Sequence, residues 1–218
     1  MMRQNSLEFK FKQILKGWEP KPLVLAVSGG VDSMVMLDLF CKHYTGELKI
    51  AHFDHGIRKE SSLDKSLISQ VSQDNNVEVV FGSANVPELT GNLEANARKE
   101  RYKFLESCRP KNGFVVTAHH SDDQIETVFM NFLKGSFVSG LAGLAKLDFK
   151  RNLWRPLIDF SKSEILEYAA THSINYLNDI TNFSSEFNRN FCRNEILPVL
   201  KNRFGSLSVI ARNSIFYS

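Results

Sequence analysis

Cysteine is scarce. Cys41, Cys108 and Cys192 are the only three in the chain, an odd number set far apart. This argues against a disulfide framework and leaves no CxxC pair for metal or redox work. Long apolar runs are also missing. None approaches the roughly 20 residues that cross a bilayer. Met1 to Pro20 lacks the apolar stretch of a secretory signal, so the reading is a cytoplasmic protein with no membrane partner. Charge is nearly balanced as well, with 27 Lys and Arg against 24 Asp and Glu, a formal net charge of +3. That balance alone does not argue for nucleic acid. There is no internal repeat and no low-complexity tract. What is present, 43% hydrophobic and 23% charged residues in 218, suits one α/β core with a small addition.

The stretch that organises the rest is Val24-Leu25-Ala26-Val27-Ser28-Gly29-Gly30-Val31-Asp32-Ser33. A continuous apolar run from Leu23 to Val27 fits a buried parallel strand. Gly29 and Gly30 allow backbone angles and close approach that a Cβ forbids. Val31, Val35 and Leu39 then keep helical spacing, with the helix starting near Asp32. Its first N–H groups, its dipole and the hydroxyls of Ser28 and Ser33 make an anion cradle sized for phosphate. The loop is not a Walker A motif, because no Gly-Lys-Ser/Thr follows. It is not a dinucleotide fingerprint either, because the third glycine is missing. An acidic Asp32 in a phosphate cradle is reasonable only with a cation between, which points to Mg²⁺.

Further along, Met2 to Glu19 is expected to be a leading helix ended by Pro20 and Pro22. Strands are expected at 48–54, 77–81 and 114–118, and helices at 62–73, 92–108 and 121–134. The alternation predicts a doubly wound, mostly parallel sheet with helices on both faces. In such sheets ligands sit beyond the carboxyl ends of the strands, where each polar cluster of this chain falls. The expected division is a core over 1–135 and a mainly helical extension over 136–218. In that extension the pattern gives an extended Leu153 to Leu157 and a helix over 161–170 capped by Ser161 and Glu164. Helix is also expected over 188–204, broken at Pro198, and from Ser206 onward.

Four other constellations carry chemistry. His52-x-x-His55-x-x-Arg58 ends the second strand. It reads as surface histidines, a zinc site short of ligands, or a contact to adenosine or its phosphates. Glu94, Arg98 and Arg101 share one helical face, either a solvated charged surface or a functional one. His119-His120-Ser121-Asp122-Asp123-Gln124-Ile125-Glu126 crowds two histidines and three acids onto a strand-to-helix junction. Capping needs one acid, not three. The cluster suits Mg²⁺, or an ammonium group whose proton it takes. Arg189 and Arg193, with Asn190 beside them, lie four apart on one helical face and suit phosphate or an RNA backbone as well as plain surface.

These residues together resemble the tRNA(Ile)-lysidine synthases, within the ATP pyrophosphatase superfamily whose fold is adenine-nucleotide α-hydrolase-like. The resemblance rests on SGGVDS, AHFDHGIR, NLEANARKERY, TAHHSDDQIET, KGSFVSGLAGL, WRPL and RNFCRNEILP, spread from Leu23 to about Leu200. It implies ATP and Mg²⁺ as cofactors, with free lysine and the CAU-anticodon isoleucine tRNA as partners. The reaction implied is adenylation of the wobble cytidine followed by lysine attack. Carried onto this sequence, it implies ATP binding by Ser28, Gly29, Gly30, Val31, Asp32, Ser33, His52, His55 and Arg58. Asp32, Arg98, Arg101 and Asp123 would be catalytic, with Asp32 on the metal. Asp123 and Glu126 would receive lysine, and Arg155, Arg189, Asn190 and Arg193 would contact tRNA. Asp54, Lys134, Phe137 and Ser139 depart from the family pattern. Two rivals are a tRNA 2-thiolation enzyme, which needs paired cysteines, and a non-catalytic nucleotide- or RNA-binding module, which has no use for so many acids beside a phosphate loop.

Overall fold

The computed structural model describes residues 6–54, 61–84, 93–136, 141–177 and 190–215. The first helix, α1 (Leu7–Lys16), is shorter at both ends than the pattern suggests. Ser6 caps its start, its hydroxyl accepting the Phe9 N–H, and Gly17 ends it before the prolines are reached. Then come β1 (Leu23–Ala26), α2 (Val31–His43), β2 (Leu48–Asp54), α3 (Ser61–Asn75), β3 (Glu78–Ser83), α4 (Leu93–Cys108), β4 (Phe114–Val116) and α5 (Ser121–Leu133). Two short strands follow, β5 (Leu147–Asp148) and β6 (Leu153–Trp154), then α6 (Lys162–Thr171). A π-type turn over Cys192–Ile196 leads into α7 (Leu197–Phe204), and α8 (Ser208–Ile215) follows.

The six strands form one sheet in the order β3-β2-β1-β4-β6-β5. All neighbours are parallel except the edge pair β5–β6. The sheet therefore runs past residue 135, and 147–154 belong to the core rather than to an extension. β1 is central, with Leu25 opposite Ile50 on one side and Val116 on the other. Alternation along β1 sorts its side chains between two faces. Leu23 and Leu25 enter a large core with Phe11 of α1, Met36 and Phe40 of α2, and Ile165 of α6. Val24 enters a small core with Leu105 of α4. A third cluster joins Ile125 of α5 to Cys192, Leu197, Leu207 and Ala211. Pro198 does not break that segment. The chain stays helical through Pro198, and the wider π-type turn over Cys192–Ile196 lies just before it.

The strand order decides where a site can form. The chain winds outward from β1 through β2 to β3, then returns to lay β4 against the other side of β1. The loops after β1 and β4 diverge at that reversal, which opens a crevice between their carboxyl ends. SGGVDS follows β1 and HHSDD follows β4, so the two strongest sequence signals meet there.

Candidate active site

The wall after β1 is shaped by one glycine and one buried serine. Gly29 has φ +90°, and a Cβ there would lie 2.7 Å from Oδ1 of Asp64 on α3, so only glycine fits. Gly30 differs from expectation. Its φ is −74° and the nearest atom to a Cβ would be 3.6 Å away, so its backbone makes no demand for glycine. The Ser33 hydroxyl donates to the Gly30 carbonyl (2.9 Å) and accepts the Ser28 N–H (3.1 Å). Expected to line the cradle, Ser33 is instead buried and committed to holding its shape. Leu177, beyond α6, donates its N–H to the Gly29 carbonyl at 3.0 Å and clamps the loop from outside. Gly30 is the N-cap of α2 and offers no side-chain cap. The first-turn N–H groups of α2 are thus left for an anion, with Ser28 beside them.

The wall after β4 is acidic. Asp123 turns back to accept the His120 N–H at 3.0 Å, which fixes the start of α5. His120 is buried and bridges the two walls. Its Nε2 lies 3.4 Å from Asp123 and 3.8 Å from Asp32, and its Nδ1 is 3.9 Å from Asp122. Gln124, fully buried, holds α5 in place by accepting the Leu144 N–H (2.7 Å) and donating to Ser214 of α8 (2.7 Å).

The later part of the chain supplies cations to every acid. Lys162, the first residue of α6, donates its ammonium to Asp32 at 2.6 Å. Its backbone N–H goes to Asp122 at 2.9 Å, and Lys201 of α7 caps the other oxygen of Asp122 at 2.9 Å. Burial alone would raise the pKa of Asp122. The Lys162 N–H and the Lys201 ammonium outweigh that and hold it below the ordinary carboxylate value. Arg193 grips Glu126 with both arms of its guanidinium, 2.6 and 2.8 Å, and passes 3.6 Å from Asp123. The space between is a cleft of about 210 Å³ lined by Asp32, His120, Asp122, Asp123, Lys162 and Lys201, with the Glu126–Arg193 pair on its wall.

Other expected residues lie elsewhere. Arg98 and Arg101 do not line this cleft. Their guanidinium carbons sit 5.0 and 5.4 Å from the centre of the Tyr102 ring. Arg155 is 3% exposed and donates to the Ala145 carbonyl at 2.6 Å. Burial lowers its pKa while nearby Tyr102 works the other way. Such an arginine braces the segment before β5 and presents little surface to tRNA. Glu126 is 1% exposed and its oxygens are bound to Arg193, so it is not open to lysine as expected. His52 is buried and donates from Nδ1 to the Val27 carbonyl at 2.9 Å, tying β2 to the end of β1. Asn190 lies in the helical stretch before the π-type turn. His55, Arg58 and Arg189 lie outside the described residues. Lys162 and Lys201 belong to none of the sequence constellations, and the pattern around Asp122 gives that acid no separate role. Only the position of Lys162 directly after the Ser161 cap gave a signal, since that helix starts at the carboxyl edge of the sheet.

A PP-loop domain model matches residues 3–200. The chain belongs to the PP-loop family. Among curated proteins it is 33% identical over 195 residues to the tRNA(Ile)-lysidine synthase of Acinetobacter baylyi, covering 88% of this chain and 42% of that one. It is 37% identical over 194 residues to the enzyme of the same name from Thermotoga maritima, covering 84% and 46%. The chain therefore spans less than half the length of these relatives. In fold it is similar to the U34-tRNA thiolase NcsA of Methanococcus maripaludis, solved with its [4Fe-4S] cluster. The TM-score is 0.76 at 22% identity, over 95% of this chain and 76% of that one. The three cysteines of this PP-loop chain do not share a site. Cys41 packs on the large core, Cys108 on the small one, and Cys192 lies in the cluster beneath α5. No helix among the described residues is long and apolar enough to cross a membrane.

Proposed function

We propose that this chain carries the catalysis of a tRNA(Ile)-lysidine synthase. ATP adenylates the C2 oxygen of the wobble cytidine in the CAU-anticodon isoleucine tRNA, and free lysine then replaces AMP at C2. The observation that carries this reading is the shared cleft. A phosphate loop and an acidic wall open onto one another at the strand-order reversal, with His120 between them. The similarity to curated lysidine synthases over most of the chain supports the choice of substrate.

The chemistry suits the residues. Cytidine C2 is a weak electrophile, and adenylation converts its oxygen into a leaving group. In the first step that oxygen bonds to the α-phosphorus of ATP as pyrophosphate departs. The α2 N-terminus and Ser28 receive the phosphates. Asp32 is one accessible carboxylate, which suits Mg²⁺ because that ion binds through one or two carboxylates plus substrate phosphate. When bound, it would neutralise phosphate charge at that point. In the second step the ε-amine of lysine, protonated at neutral pH with a pKa near ~10.4, must give up a proton before attacking C2. Asp123 is held in orientation by the His120 N–H and faces the cleft, so it is assigned to the ammonium and its proton.

The test is incubation with ATP, Mg²⁺, labelled lysine and total tRNA. Label is expected in RNA only with ATP, and unlabelled arginine competes poorly. Label that stays out of the RNA rejects the reading.

A further inference from the structure

We infer that Lys162 is a phosphate-gripping catalytic residue that Asp32 keeps in store until ATP arrives. This rests on the reading of the α2 N-terminus as the phosphate site. Three observations converge on it. The Lys162 ammonium is 2.6 Å from Asp32, the acid of the phosphate loop, and both side chains are partly open to the cleft, 37% and 30% exposed. The backbone of Lys162 is anchored independently. Its N–H is held by Asp122 at 2.9 Å, and the preceding Ser161 accepts the Glu164 N–H to cap α6. The side chain is therefore free to turn without moving the helix. Lastly, the clamp from Leu177 to the Gly29 carbonyl ties the chain beyond α6 to the loop itself. The ammonium thus stands beside any anion seated at the start of α2.

An incoming triphosphate presents more negative charge than one carboxylate, and lysine binds phosphate well as a point charge. Lys162 turns from Asp32 to the phosphate oxygens and frees the carboxylate. As the cytidine oxygen bonds to the α-phosphorus, the bond from that phosphorus to the bridging oxygen breaks, and its electron pair leaves with pyrophosphate. Lys162 keeps its protons throughout and balances the charge that accumulates on the leaving group.

The alternative is that Lys162 merely neutralises Asp32. A double-mutant cycle separates the two, with inorganic pyrophosphate as the probe and EDTA present, read by calorimetry on the whole chain. Loss of one charge-assisted contact predicts roughly tenfold or greater weakening in K162M, with K162R retaining most of the affinity. D32N binds pyrophosphate as well as wild type or better, since the competing carboxylate is gone. The deciding comparison is D32N/K162M against D32N. A loss of about fivefold or more upholds the inference. A smaller loss overturns it, because the lysine then matters only through Asp32. Wild-type protein that fails to bind pyrophosphate also overturns it, along with the phosphate site. If pyrophosphate binds as described but lysine never enters tRNA, the inference stands and the proposed substrate falls. Thermal unfolding of each variant confirms that folded protein is compared, and K162R supplies the folded control should K162M melt.

Discussion

The acids and the cations of the cleft come from different parts of the chain and are held in different ways. Asp32, Asp122 and Asp123 lie in the first turns of α2 and α5, directly after strands β1 and β4 of the sheet, and Glu126 lies in the next turn of α5. Their positions follow from strand order alone. Lys162, Arg193 and Lys201 come from α6, the π-type turn and α7, and reach the cleft on long side chains. Each anchors on an acid rather than on the sheet. The acidic wall is thus built in by topology, whereas the cationic wall is held by the acids it neutralises. Ligands that bring their own charge can compete for either wall.

That contrast can be broken from either side. The largest effect is expected from Asp32→Ala, which removes the acid of the phosphate loop. AMP formation should fall at least about a hundredfold while denaturant unfolding stays cooperative. Unfolded protein instead would make Asp32 a structural group. Next comes Asp123→Asn, which keeps shape but not charge. Adenylated tRNA should accumulate, and the lysine requirement should rise roughly ten- to a hundredfold. Loss of ATP binding with lysine response unchanged would move Asp123 to the metal site.

On the cationic side, Arg193→Met takes the guanidinium away from Glu126, which is 1% exposed. A cost of about 2–3 kcal/mol in urea unfolding is expected, below the full penalty for a buried pair because Arg193 itself is 39% exposed. Ser161→Ala removes the α6 cap and should cost about 1 kcal/mol. Little change there would mean that Asp122 alone sets the helix start. The smallest effect concerns acid. Burial favours the neutral forms of Glu8, Asp122 and Glu164, but Lys12 and His43, the Lys162 N–H and Lys201, and Lys10 and Ser161 respectively outweigh it and lower each pKa. Groups with depressed folded pKa values add stability above their unfolded values, near ~4, and lose it as pH falls through the folded ones. Melting temperature should therefore hold down to about pH 5 and decline below pH ~4. Lys201→Met should flatten the part of that decline due to Asp122.

This division also explains what could be read in the sequence. The strands, the parallel sheet and the meeting of SGGVDS with HHSDD were legible because buried strands and strand-end turns leave local patterns. Ser33 and Gly30 were legible as residues of the loop but not in their roles, since a hydroxyl that shapes a cradle and one that lines it look alike in a string. The pairing of Glu126 is not legible locally, because its partner lies 67 positions away. Arg155 followed a motif, yet nothing local shows that its guanidinium turns inward to Ala145. Lys162 and Lys201 were illegible for the same reason. A lysine on an amphipathic helix has no signature until the fold shows what it faces.

The stacking of Trp18 on Trp154 has a practical consequence. These are the chain's two tryptophans, and their rings lie 4.0 Å apart and 6° from parallel. Trp154 also offers its carbonyl to the N–H of Thr117, at the foot of the acidic loop. All indole absorption and emission therefore originate from one coupled pair, which joins the tail of α1 to the strand beside the cleft. Its near-ultraviolet indole dichroism is an optical gauge of whether this packing is intact, readable without any label.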